Sequence, residues 1–88
     1  MIEREFVLEN RVGLHARPAA KLVGTSNKFK SRITVSCNGR DANAKSILNI
    51  LALGAEHGAK IKVRTEGEDE ETAMKAIEDL VSNKFYDD

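Results

Sequence analysis

The chain has little of what marks secreted, membrane-spanning or nucleic-acid-coating proteins. It contains one cysteine, Cys37, so no disulfide can form within the chain, which indicates a reducing compartment. No apolar run approaches the roughly 20 residues of a membrane span, and the first residues, MIEREFVLEN, lack the apolar core of a signal peptide. The 14 Lys and Arg residues balance 14 Asp and Glu residues, so the positive excess needed to coat nucleic acid or anionic membranes is missing. We therefore expect a cytoplasmic protein.

The length and composition are those of one small globular domain. The 88 residues suffice for one modest core. Hydrophobic residues make up 41% of the chain and charged residues 32%, which is ordinary for such a domain. We expect a single domain over residues 1–88, and a monomer, since nothing in the sequence requires an oligomer.

Apolar and polar residues alternate in short stretches, and this alternation predicts β-strands. Two of the stretches are joined by Asn38-Gly39, a dipeptide typical of a two-residue hairpin because both positions of that turn need positive φ. In the second strand Ile33, Val35 and Cys37 are expected to point inward. The predicted strands cover residues 2–8, 32–37, 40–44 and 60–65.

Apolar residues at helical spacing predict three helices, over residues 16–27, 46–54 and 68–85. Ser46 is placed to cap the start of the second helix, and Gly54 to end it in left-handed geometry. One face of the first helix is expected at Ala16, Ala19, Ala20 and Val23. The stripe of the last helix is expected at Ala73, Ile77, Leu80, Val81 and Phe85.

The order of elements is therefore β-α-β-β-α-β-α. Strands that are apolar on one side need helices on one face of an antiparallel sheet and water on the other. The predicted fold is α+β, a two-layer open-faced sandwich with a four-stranded antiparallel sheet and three helices on one face. Because these elements nearly exhaust the chain, a functional site must lie in loops or at helix ends.

The segment Arg11–Gly24, RVGLHARPAAKLVG, contains a nucleophilic and an anion-binding side chain at such a helix end. Pro18 suits a first helical turn, because the first amides of a helix have no internal partner. His15 then falls near the N-cap, beside free amides and the positive end of the helix dipole, which together favour an anion. Arg17 adds a guanidinium whose shape matches phosphate oxygens. A neutral imidazole here can attack a phosphoryl group, although capping by His15 and a solvated Arg17 explain the same residues.

The segment Gly13-Leu14-His15-Ala16-Arg17-Pro18-Ala19-Ala20 resembles the active-site signature of the HPr family, the histidine-containing phosphocarriers of the bacterial phosphoenolpyruvate-dependent phosphotransferase system. A second segment, Ala44-Lys45-Ser46-Ile47-Leu48, is similar to the regulatory serine site of that family. Leu53-Gly54 and the acidic run Gly67–Glu70 also fit. The resemblance extends over essentially the whole chain and implies the HPr-like fold.

The resemblance also implies roles for individual residues. His15 would accept a phosphoryl group on Nδ1 from phosphorylated Enzyme I and pass it to the IIA domains of sugar permeases, with Arg17 stabilising the anion. The protein would be a phosphoryl carrier and not an enzyme, with no cofactor and no metal. Ser46 would be the target of HPr kinase/phosphorylase. The residues expected to contact partners are Ala16, Ala20, Gly24, Ile47, Leu48 and Leu51.

The second helix supports a docking surface independently of the resemblance. SILNILALG is apolar at more positions than one buried face of a short helix requires. An exposed apolar patch beside a reactive residue indicates a partner site. The competing interpretation is that all of these residues belong to the core.

Three alternatives remain at this stage. Arg11, Asn49-Ile50 and the C-terminal SNKFYDD depart from the commonest sugar-pathway pattern, and the last resembles the nitrogen-related paralogue (NPr), which passes phosphate to a regulatory IIA protein. A second alternative is a regulatory binding protein that acts through phosphorylated Ser46. A third is a nucleic-acid-binding domain using Arg17 and the strip Lys60, Lys62 and Arg64, against which the zero net charge argues. His57 is interpreted as a turn residue.

Overall fold

The computed structural model describes residues 1–87 and contains the seven elements that the sequence predicts, in the same order. The strands are β1 (Ile2–Val7), β2 (Arg32–Cys37), β3 (Arg40–Asn43) and β4 (Lys60–Glu66). The helices are α1 (Ala16–Ser26), α2 (Ile47–Ala52) and α3 (Glu70–Ser82), and a short 3-10 turn (Lys84–Tyr86) follows α3.

The four strands form one antiparallel sheet in the order β1-β4-β2-β3. Strand β4 comes last in the sequence but lies between β1 and β2. The register places Val35 between Val63 and Ala42, and Phe6 beside Ile61. Because alternate residues of a strand share a face, these apolar side chains form one apolar side of the sheet.

The core lies between this side of the sheet and the helices. Helix α1 packs against both α2 and α3, while α3 also contacts β4 and β1. The Asn38-Gly39 hairpin forms as predicted, with φ of 51° and 80°. Fully buried side chains from every layer meet here, including Leu8, Leu22, Ile33, Val35, Ile50, Ile61, Val63, Met74, Ile77 and Phe85.

The buried face of α1 differs from the predicted one. Ala19 is buried as expected, but Ala16 and Ala20 are exposed and Val23 is only partly buried. Alanine fits either environment, so its spacing does not define a face. The bulkier Leu22, which the prediction left out, determines the side that faces the core because it removes more apolar surface from water.

The end of α3 was also predicted wrongly. The helix ends at Ser82, and not at residue 85, with Asn83 as its C-cap. The Asn83 side chain donates to the carbonyl of Asp79 at 2.8 Å, and such local bonds compete with continuation of a helix. Phe85 is buried as expected, with 1% of its surface exposed, but it reaches the core from the turn that follows the helix.

Asp69, the N-cap residue of α3, ties this helix to the segment that precedes β2. Its carboxylate accepts the backbone N–H groups of Lys30 and Ser31, each at 2.9 Å, and also the Ser31 hydroxyl. The hydroxyl bond from Ser31, followed by the amide of Lys30, lowers the pKa of Asp69 below its ordinary value of 3.8. The charged carboxylate is therefore the form that the fold stabilises.

We expect Asp69→Asn to lower the thermal midpoint at neutral pH by several degrees, because a neutral amide accepts these bonds less strongly. The pKa of Asp69 is lower in the folded than in the unfolded chain. Its contribution is therefore fully present above about pH 4 and is lost as the pH falls through the folded-state pKa. Thermal unfolding followed by circular dichroism from pH 7 down to pH 2 measures this loss.

The matched control is Glu68→Gln, the adjacent carboxylate. Glu68 lies 3.8 Å from the Lys30 ammonium, and both side chains are largely exposed. Its removal should change stability by less than about 0.5 kcal/mol. Equal losses in the two variants, or an Asp69→Asn loss that persists unchanged at pH 2, would contradict the assignment.

Candidate functional site

Two loops meet at one end of the molecule and hold the segment that carries His15. The backbone N–H of Leu8 donates to the carbonyl of Ala59 at 2.9 Å, and the Leu8 carbonyl accepts from Gly58 at 2.7 Å. Further on, the N–H of Leu14 donates to the carbonyl of Ala55 at 2.8 Å. The segment leading into α1 is therefore fixed at both of its ends by residues 55–59.

Gly13 permits the close approach of these two loops. Its φ is +65°, and a Cβ atom here would lie 2.4 Å from the Ala55 carbonyl oxygen and 2.6 Å from the Cα of Glu56. Asn10 is fully buried and donates from its side-chain amide to the Gly13 carbonyl at 2.8 Å, which closes the turn. No residue with a side chain fits this position without displacing backbone.

His15 is the N-cap residue of α1, as the sequence predicts, with extended backbone angles (φ −125°, ψ 161°). Its side chain makes no capping hydrogen bond and is partly exposed. Ala16 then takes a left-handed conformation (φ 48°), and Pro18 occupies the buried side of the first turn. The imidazole therefore lies at the positive end of a helix without being used to cap it.

Arg17 lies in the same helical turn, where the sequence places it. Its side chain is 79% exposed, and its Nε lies 3.0 Å from Oδ1 of Asp87. Lys21, one turn further along α1, approaches the same oxygen at 3.9 Å. The structure thus adds one acidic residue, Asp87, to the group that the sequence indicates.

Helix α2 presents an apolar surface to solvent. Ser46 is its N-cap residue, and the Ser46 hydroxyl accepts the backbone N–H of Asn49 at 3.3 Å. Leu48 is 75% exposed, while Ile47 and Leu51 are each 38% exposed. Only Ile50 of this helix is buried. The interpretation of this segment as entirely core is therefore wrong.

The three residues of α1 that the resemblance assigns to partner contact are also exposed. Ala16, Ala20 and Gly24 recur every fourth residue, which places them along one side of the helix. Helix α1 packs against α2. The exposed sides of these two helices, together with His15, are called the α1–α2 surface below.

Two contacts of the site are not predicted by the sequence. The Nδ1 atom of His57 lies 3.1 Å from the carbonyl of Asn10, so this turn residue also contacts the loop that leads to His15. Asp87 reaches Arg17 across 70 positions of the chain. Neither pair has a local signal, because spacing patterns report neighbours within a few residues only.

The basic strip on β4 lies on the sheet and not at the site. Lys62 and Arg64 each lie 3.7 Å from the same carboxylate oxygen of Glu3 on β1. Within residues 1–87, no three His, Cys, Asp or Glu side chains converge in the way a bound metal ion requires. No helix in this part of the chain has both the length and the apolarity to cross a membrane.

Comparison with known proteins gives a consistent result. The family described as the PTS HPr component phosphorylation site matches residues 2–83. The phosphocarrier protein HPr of Xylella fastidiosa is 50% identical over 88 residues, which cover 100% of this chain and 99% of that protein. The HPr of Cupriavidus necator is 40% identical over 85 residues, covering 97% and 96% of the two chains. The crystal structure of HPr from Thermoanaerobacter tengcongensis superposes with a TM-score of 0.97 at 45% identity, covering 100% and 99%.

We expect Gly13→Ala to destabilise the protein by at least about 2 kcal/mol, because it adds left-handed strain and a clash with backbone atoms. Gly24→Ala is the matched control, since a Cβ there meets no atom within 4 Å. That substitution should stabilise α1 by up to about 1 kcal/mol. Chemical denaturation of both variants measures the two effects, and similar values would show that the contact between the loops is not tight.

Proposed function

Since this chain belongs to the HPr family of phosphocarrier proteins of the phosphotransferase system, we propose that His15 is the residue that carries the phosphoryl group. One observation above all supports the assignment. The imidazole of His15 lies at the start of α1, partly exposed and not engaged in capping. We also propose that residues 1–88 act as one carrier domain, which turns over no substrate by itself.

The proposed chemistry is a transfer between two nucleophiles. A neutral imidazole nitrogen of His15, by family resemblance Nδ1, forms a bond to phosphorus. The bond between phosphorus and the donor breaks, and the donor keeps that electron pair. In the return step an acceptor attacks the same phosphorus and the imidazole leaves as a neutral ring. No oxidant, metal or cofactor is needed for this balance.

The surroundings of His15 suit a transient anion. The start of α1 provides partial positive charge, worth roughly 0.3–2 kcal/mol for a nearby anion. A charge-assisted hydrogen bond from Arg17 to the phosphoryl group would contribute about 1.5–3 kcal/mol more. Interactions of this size would stabilise a phosphohistidine and still allow the phosphoryl group to be transferred to an acceptor, which is what a carrier requires.

The α1–α2 surface supports docking of partner proteins. Leu48 is the most exposed apolar side chain of α2, the helix that packs against α1. We propose that Enzyme I, as donor, and a IIA protein, as acceptor, use this surface in turn, in the cytoplasm. The acceptor is expected to be the IIA domain of a sugar permease, with the regulatory IIA of the nitrogen branch as the alternative.

We expect His15→Ala to abolish phosphorylation. Incubation with phosphoenolpyruvate and Enzyme I should add one acid-labile phosphoryl group to the wild-type chain, detected as intact mass. The chain has two histidines, so His57→Gln is the matched control and should retain the added mass. A phosphorylated His15→Ala variant, or a wild-type chain that gains no mass with Enzyme I of either branch, would contradict the proposal.

We further propose that Ser46 is a regulatory phosphorylation site, modified by an HPr kinase/phosphorylase. Ser46 is partly buried and directly precedes the exposed residues Ile47 and Leu48. A phosphate here would add about two negative charges to the rim of an apolar docking surface. A partner that covers this surface would have to desolvate those charges, so its affinity would fall.

We expect Ser46→Asp to raise KM for Enzyme I about tenfold, equivalent to roughly 1.4 kcal/mol, with kcat little changed. Aspartate is a good N-cap residue, so α2 should stay intact. The control Ser46→Ala should lose about 1 kcal/mol of stability through the missing cap but keep the wild-type KM. Steady-state kinetics with denaturation curves separate the two effects, and equal KM values for the two variants would exclude a charge effect.

A further inference from the structure

The last described residues turn back from α3 onto α1. Lys84, Phe85 and Tyr86 have φ of 51°, 59° and 53°, a left-handed run of three residues. Phe85 is buried in the core, and the Tyr86 hydroxyl donates to a carboxylate oxygen of Asp79 at 2.6 Å. Residues 84–87, called the C-terminal turn below, are therefore fixed to the body of the protein from two sides.

Helix α1 holds the C-terminal turn from its own side. The ammonium group of Lys21 donates to the carbonyls of Phe85 at 2.9 Å and Tyr86 at 3.1 Å. These bonds place Asp87 beside the first turn of α1, where it is only 16% exposed. The backbone that leads to Asp87 is thus held by contacts that do not involve Arg17.

Asp87 in turn contacts Arg17 at a particular atom. Oδ1 of Asp87 lies 3.0 Å from Nε, while 79% of the Arg17 side chain remains exposed. An exposed arginine otherwise samples many rotamers, and a fixed carboxylate at Nε restricts them. The ammonium group of Lys21 lies 3.9 Å from the same Oδ1 and neutralises part of the negative charge of Asp87. The guanidinium of Arg17 can therefore still attract a second anion.

We propose that Asp87 is a positioning residue for Arg17: it holds the guanidinium at the start of α1, so that phosphorylated His15 meets a preorganised cation. The inference rests on the proposed function of His15 as the phosphoryl-carrying residue. Asp87 touches neither the phosphoryl group nor its bonds, and it acts through Arg17 alone. Preorganisation of this kind raises affinity because less conformational freedom is lost when the anion arrives.

A competition between carriers tests the proposal. Asp87→Ala and 15N-labelled wild-type chain are mixed with catalytic Enzyme I and limiting phosphoenolpyruvate, so that phosphoryl groups redistribute to equilibrium. Intact mass then gives the phosphorylated fraction of each carrier. At equilibrium these fractions depend on the stability of the two phosphohistidines and not on how well either chain docks.

We expect Asp87→Ala to hold the phosphoryl group about 3- to 10-fold less tightly than the wild type, the loss expected when one charge-assisted hydrogen bond is weakened. Asp87→Glu should recover most of that loss. Glu71→Ala removes an equal charge from an exposed position in the first turn of α3, at the opposite end of that helix from the C-terminal turn, and should stay within twofold of the wild type. Thermal unfolding confirms that each variant is folded.

The sign of the effect distinguishes other roles of Asp87. If this carboxylate only competes with the phosphoryl group for Arg17, or repels it, Asp87→Ala would bind the phosphoryl group more tightly. Equal affinity of Asp87→Ala and wild type for the phosphoryl group would mean that the contact is purely structural, and would overturn the proposal.

In an Arg17→Ala background, Asp87→Ala should have no further effect, and a full effect there would also overturn the proposal. A wild-type chain that takes no phosphoryl group at all would instead refute the function proposed for His15.

Discussion

The close packing of the loop before α1 against residues 55–59 is the constraint on which the rest of the site depends. The β1–β4 pairing ends at Val7 and Lys60, but backbone hydrogen bonds between the two segments continue beyond it through Leu8 and Leu14. Gly13 lies so near the Ala55 carbonyl that a Cβ atom would overlap it. The backbone of the sheet is thereby extended into the loop, and α1 starts at a point set by the sheet. His15 gains a defined position although it belongs to no regular element.

Most of the fold follows from local sequence patterns. Where the sequence prediction failed, the failure has a physical reason. Alternation in Arg32–Cys37 and the Asn38-Gly39 turn determine β2 and its hairpin closely, because burial on one side and positive φ leave few other choices. His15 and Ser46 were placed correctly as N-cap residues, since helix starts have strong chemical preferences. The face of α1 was misjudged because alanine tolerates both sides of a helix. The left-handed Ala16 was not predicted, because nothing in its side chain favours that conformation.

Burial in the core explains only part of helix α2. Strands and helices contribute their large apolar side chains to one core, and Ile50 is the contribution of α2 to it. The other apolar residues of that short helix remain at the surface, where burial in the core does not explain them. A helix of six residues has little stability of its own. Its single buried residue, its serine cap and the contact with α1 hold it in place, so an exposed apolar surface is retained on a rigid support.

Strained backbone occurs on both sides of Arg17. Left-handed conformations cost L-residues roughly 1–2 kcal/mol each, and they are found at Ala16 and at three consecutive residues, Lys84, Phe85 and Tyr86. The strain of the C-terminal turn is partly offset locally, because burial of a phenylalanine side chain contributes about 1.5–3 kcal/mol and Lys21 binds two carbonyls of the turn. A chain that merely ended after α3 would avoid this cost. The turn directs the chain back to α1, and as a result the carboxylate of Asp87 reaches Arg17. The strain therefore serves an arrangement that no local sequence preference would have produced.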